Sequence, residues 1–135
     1  MGPGRRCLLP SHPVATNPPM DLMLAPVGGE ARPLEEWLTT FHLAMVVLDP
    51  YTNESAWILP TATRILEGLR GSDARVNLLV TAPEEDVRAF LGPLVRQFLV
   101  FVDGGRSVVK ALGVEMLPAF VFIRVDGTVE AAAEG

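Results

Sequence analysis

Six consecutive residues, Leu43 to Leu48, carry no polar side chain, and this run constrains the fold more than any other feature. Two adjacent valines within it favour an extended strand, and the absence of polar alternation means that both faces are covered. A strand covered on both faces needs packing layers above and below it. The flanks agree. Leu34, Trp37, Leu38 and Phe41 recur at helical spacing behind Pro33, with Glu35 and Glu36 at the positive end. Asp49-Pro50 ends the run, and Thr52 to Arg70 then reads as a helix with Trp57, Ile58, Ile65, Leu66 and Leu69 on one stripe and Gly71 as its stop. Pro60 lies inside that helix, removes one backbone hydrogen bond and is expected to kink it.

The same alternation continues to the end of the chain. Met20 to Val27 reads as a short apolar segment before the turn pair Gly28-Gly29, and Val76 to Val80 as a second buried strand. Thr81 and Glu84 have capping-box spacing, which predicts a short helix with Val87, Phe90 and Leu91 inward, broken by Gly92-Pro93. Phe98 to Val102 reads as a third strand, Gly104-Gly105 as a turn, and Arg106 to Leu112 as a helix stopped by Gly113. Ala119 to Val125, Asp126-Gly127 and Thr128 to Ala132 form a hairpin pattern. The expected architecture is α/β with a mixed sheet, parallel where helices intervene and antiparallel at the last pair.

Composition narrows the functional classes. At 135 residues and 49% apolar content the chain suits one packed domain. A net charge of −5 argues against a phosphate-binding surface, so no nucleic-acid partner is expected. The longest apolar runs, Leu43 to Leu48 and Leu117 to Ile123, fall short of the roughly 18 residues a membrane span needs. One cysteine and two histidines provide neither an internal disulfide nor an ordinary zinc site, and no cofactor or metal is expected. Residues 1 to 19 hold five prolines and no periodicity and read as a disordered extension, with residues 20 to 135 as the domain. Translation is expected to start at Met20. Pro10 cuts the apolar stretch after Arg5-Arg6 too early for a secretion signal, so a cytoplasmic location is expected.

Two features together resemble the thioredoxin-like superfamily over roughly residues 34 to 135. One is the block Ala111-Leu112-Gly113-Val114-Glu115-Met116-Leu117-Pro118, followed by a strand, a turn and a second strand. The other is the strand Leu43 to Leu48 entering a long helix that contains Pro60. The intervening segment from Val76 to Val102 is similar to the branch of membrane-anchored thioredoxin and peroxiredoxin relatives. The resemblance implies a three-layer fold, a cis Leu117–Pro118 bond and a final helix beyond Gly135 that this chain lacks.

It also implies where redox chemistry would sit, and there the chain departs from the pattern. The dithiol positions fall on Thr52 and Ser55, so the motif reads Thr52-Asn53-Glu54-Ser55. A thiolate at a helix N-terminus is stabilised by unpaired N–H groups and attacks disulfide sulfur, whereas a hydroxyl stays protonated there and forms no such bond. Val46 occupies the position of the family's buried acid, and Tyr51 that of the aromatic preceding the first cysteine. No catalytic residue is assigned. The hydroxyls of Thr52 and Ser55 are read as helix caps, Glu84, Glu85 and Asp86 as dipole-compensating acids, His42 as a boundary histidine, and Trp37 and Trp57 as core residues.

The leading expectation is a redox-inactive domain that binds a protein or peptide through Tyr51, Trp57, Leu117 and Pro118, the groove the resemblance implies. The rival is a thiol-disulfide or peroxide-linked oxidoreductase using Cys7 or a partner's thiol. A third reading is a truncated product without activity of its own. Without the last helix, Phe120 and Phe122, or Val121 and Ile123, lack a cover on one side, and self-association through that face is expected.

Overall fold

The computed structural model describes residues 18–133. The N-terminal extension through residue 17, including Cys7, lies outside the described residues. Pro18 is buried, and the Pro19 carbonyl accepts a hydrogen bond from the Leu22 amide, so the folded part reaches two residues before Met20.

The elements in chain order are β1 (Met23–Pro26), β2 (Arg32–Pro33), α1 (Leu34–Trp37), β3 (His42–Leu48), α2 (Asn53–Leu69), β4 (Ala74–Val80), α3 (Glu84–Leu91), α4 (Leu94–Gln97), β5 (Leu99–Val102), α5 (Ser107–Ala111), β6 (Ala119–Ile123) and β7 (Val129–Ala133). One seven-stranded sheet runs in the order β2-β1-β5-β4-β3-β6-β7. β3 pairs in parallel with β4, and β4 with β5, while β6 joins β3 antiparallel and β7 joins β6 antiparallel. The other edge is also antiparallel, because β1 pairs with β5 and with β2. That edge was not foreseen; the segment read as one stretch from Met20 to Val27 is a turn followed by a four-residue strand.

β3 has the double burial its sequence demanded. Leu43, Met45 and Val47 face a cluster with Leu34, Trp37, Phe101, Val108 and Leu112. Ala44, Val46 and Leu48 face the opposite cluster with Ala62, Leu66, Val87 and Leu91. The layers are therefore α1 and α5 on one face and α2 and α3 on the other.

Several local expectations are corrected. The helix expected to reach Phe41 ends at Trp37, and Phe41 is exposed beneath the Arg75 guanidinium. α3 has Pro83 as its N-cap with no side-chain cap; Thr81 is buried and donates its hydroxyl to the Leu48 carbonyl, extending the strand rather than boxing the helix. Trp57 is 84% exposed. α2 turns Ser55, Ala62 and Leu66 inward, and Trp57 stands about 200° around the helix from Ser55 at 100° per residue. Apolar spacing alone placed the stripe one flank away from the true buried face.

The hairpin turn is set by local chemistry. Gly127 adopts φ 91, a value favoured by glycine, and its amide donates to the Arg124 carbonyl. Asp126 accepts from the Thr128 amide at 2.9 Å, which holds its carboxyl below the usual range.

Candidate functional site

The end of β3 is organised around Asp49. Its side chain accepts from the Tyr51 amide at 3.0 Å, the turn chemistry an Asp-Pro pair favours. Its carbonyl accepts from the Thr52 hydroxyl at 2.9 Å, and its amide donates to the Ser55 hydroxyl at 2.9 Å. The Thr52 hydroxyl also accepts from the Ser55 amide at 3.3 Å, capping α2. Both hydroxyls of the tetrapeptide thus hold the loop against the helix start, and Ser55 is fully buried. Asn53 and Glu54 are exposed in the first turn.

Register brings the second half of the site alongside. Val47 pairs with Ala119, so Pro118 and Leu117 continue past the strand end next to Leu48 and Asp49, one strand spacing of about 4.8 Å away. The Leu117–Pro118 bond is cis. Pro118 is buried and Leu117 half-buried against the α1–α5 cluster, while Met116 is 61% exposed. Among the described residues, no hydrogen bond engages the backbone of Glu115, Met116 or Leu117. An open length of backbone therefore lies beside the tetrapeptide.

Tyr51 and Trp57 flank this edge differently. Tyr51 is exposed and donates its phenol to Asp86 of α3 at 2.5 Å, which ties the loop toward the β4 side of β3, away from β6. That hydrogen bond, then desolvation, then the charges of Asp86, Asp49 and Glu85 hold the phenol above its ordinary value. Trp57 projects into solvent from the second turn of α2.

Three residues absent from the expected site complete its frame. Arg106, in the left-handed conformation at φ 60, reaches the Asp49 carboxylate at 3.4 Å. Asp103 is buried and accepts from the amides of Val108 and Val109, capping α5. Asp86 holds Tyr51. Only Asp49 had a legible signal, in its Asp-Pro pair; Asp86 and Arg106 meet partners 35 and 57 residues away.

The other residues singled out from the sequence lie apart from the hydroxyls of the tetrapeptide. Val46, where the resemblance implied a buried acid, is fully buried among apolar neighbours. His42 opens β3, about 20 Å along the strand from Asp49, where its Nδ1 accepts from the Val125 amide and its Nε2 lies 3.6 Å from Asp73. Glu84 is bound to Arg88 and Asp86 to Tyr51, and among the described residues no group of three or more His, Cys, Asp or Glu side chains could hold a metal ion. Nor is any helix among them long and apolar enough to cross a membrane.

Neither protein-family models nor curated proteins yield a match to the chain. Solved structures do match. The structure of MTB dsbF in mixed oxidized and reduced forms superposes with a TM-score of 0.71 at 15% identity, over 85% of each chain. A secreted Mycobacterium tuberculosis disulfide oxidoreductase homologous to E. coli DsbE gives 0.66 at 16% identity, over 86% of this chain and 89% of that one. The exposed lipoprotein thioredoxin of Streptococcus pneumoniae gives 0.66 at 20% identity, over 85% and 90%. These likenesses establish a thioredoxin-like fold.

Proposed function

We propose, from the premise that this is a thioredoxin-like fold with no dithiol, that the domain is redox-inactive and acts by holding an extended protein segment beside Pro118. The observation that carries the reading is the unpaired backbone of Glu115 to Leu117 next to an exposed Met116. Such a backbone can take up a strand through main-chain hydrogen bonds, with neighbouring side chains selecting its residues. Trp57 and Tyr51 add exposed aromatic surface on the adjoining helix and loop. The chain holds one cysteine, Cys7, and the tetrapeptide hydroxyls are engaged with the Asp49 peptide groups, which supports silence toward disulfides. The partner in this reading is a protein or peptide, without cofactor, nucleic acid or membrane. A cytoplasmic setting rests on sequence alone; two of the similar structures are described as secreted and as an exposed lipoprotein.

The test is titration of extended peptides into isotope-labelled full-length chain. Amide shifts centred on Met116 and Leu117, with Met116→Asp weakening binding tenfold or more, support the reading. Shifts confined to another surface overturn it, as does insulin reduction above background by a Cys7→Ser variant.

A further inference from the structure

The end of the sheet that carries Pro118 is short of positive charge. Leaving aside the Glu84–Arg88 pair and the buried Asp103, its loops and helix starts bring together five carboxylates, Asp49, Glu54, Glu85, Asp86 and Glu115, and one guanidinium, Arg106. Arg106 is engaged by Asp49 at 3.4 Å. Asp86 accepts from the neutral Tyr51 phenol, and among the described residues no cation pairs with Glu54, Glu85, Asp86 or Glu115. Lys110, the single lysine, sits in the last turn of α5, where a cation complements the negative helix end. The Tyr51 phenol registers the same field. After its hydrogen bond to Asp86 and its desolvation, the charges of Asp86, Asp49 and Glu85 hold its proton above the ordinary value.

Exposed carboxylates are usually no more than solvated surface, but these border the open main chain of Glu115 to Leu117. Glu115 precedes the exposed Met116 directly and is itself exposed. Because Val47 pairs with Ala119, Asp49 lies about one strand spacing of 4.8 Å from the Leu117–Pro118 end. Glu54 follows in the first turn of α2, whose start is tied to the Asp49 peptide groups through Thr52 and Ser55.

We propose that the segment held beside Pro118 is basic, with one lysine or arginine reaching Glu115 and a second reaching the turn from Asp49 to Glu54. This rests on the peptide-binding reading above and adds the chemistry of the partner. Main-chain hydrogen bonds are common to every extended segment, so selection falls to side chains and to charge. Alternate side chains of an extended segment stand on one face about 6.6 Å apart, and the long stems of lysine and arginine carry their charge outward from there. An acidic segment meets like charge at both places. A second copy of this chain, with a net charge of −5, is repelled as a whole.

The experiment titrates three terminally blocked hexapeptides of valine and threonine into isotope-labelled full-length chain. One carries two lysines, the second glutamine at those positions and the third glutamate. The proposal expects the Met116 and Leu117 amides to shift with the lysine peptide at an affinity tenfold or more above the glutamine peptide, and the glutamate peptide to bind weakest. That gap should close in 1 M salt, where the screening length is about 3 Å. Combining Glu54→Gln with Glu115→Gln should narrow it to threefold or less. Equal binding of the lysine and glutamine peptides at Met116 overturns the charge preference and leaves peptide uptake standing. A lysine preference whose shifts spread over the acidic surface away from Met116 also overturns it, as unspecific attraction. No shift at Met116 and Leu117 with any of the three overturns peptide uptake itself. Should the double variant unfold, the comparison of peptides on the unmodified chain still decides.

Discussion

The two faces of the sheet are finished to different degrees. On the α1–α5 face, Trp37 meets Phe101 edge-on at 4.9 Å, α5 is capped by the buried Asp103, and the cluster extends from Leu24 to Val129 across the sheet. On the α2–α3 face the packing is dense under Ala62 and Leu66 but opens toward β7. There Ile65 and Leu69 remain 44% and 39% exposed beside Phe120 and Phe122, around a cavity of about 280 Å³. A strand can be fully buried along its own length while the sheet it anchors is covered completely on only one side. Both faces hold a buried cluster, and only the α2–α3 face leaves large apolar side chains exposed beside a cavity.

Substitutions on the two faces should separate accordingly. Phe101→Ala removes a fully buried ring from the closed face and is expected to cost about 3–5 kcal/mol in denaturant unfolding. Ile65→Ser, on the open face, should cost about 0.5 kcal/mol or less, as for a surface change. Equal costs would show the open face to be covered in solution. Asp103→Ala leaves the Val108 and Val109 amides without their acceptor and should cost about 1–2 kcal/mol, loosening α5 first in amide exchange. α3 on the open face has no side-chain cap to lose.

The smallest effect concerns the tie between the Asp49 loop and α3. The folded chain holds the Tyr51 proton more tightly than the unfolded chain, because the phenol donates to Asp86. The stabilisation is present below the ordinary phenol value of about 10 and is lost as pH rises through the raised one. Tyr51 is the single tyrosine, so its ultraviolet titration reads this directly. Asp86→Ala should move the midpoint down toward the ordinary value, and an unmoved midpoint would break the contact.

Much of the fold was legible because it followed from local pattern. The apolar run at Leu43 to Leu48, the helix between Thr52 and Gly71, and the Asp126-Gly127 hairpin each state their geometry within a few residues. What misled was pattern without a partner. Thr81 and Glu84 had capping-box spacing, but a buried strand end took the hydroxyl first. Trp57 had stripe spacing, but the sheet met α2 along Ser55, Ala62 and Leu66. At the site, the tetrapeptide and Pro118 were named from the sequence, whereas Arg106 and Asp86 were invisible there because their partners lie far along the chain.

The amino-acid sequence by itself determined the alternation of strands and helices, the absence of sulfur at Thr52 and Ser55 and the exclusion of an internal disulfide, since these depend on residue identity and short-range spacing. Tertiary structure alone decided which flank of α2 is buried and which charged groups surround Asp49. Those outcomes are set by which surfaces meet when distant segments pack, and no local spacing encodes that.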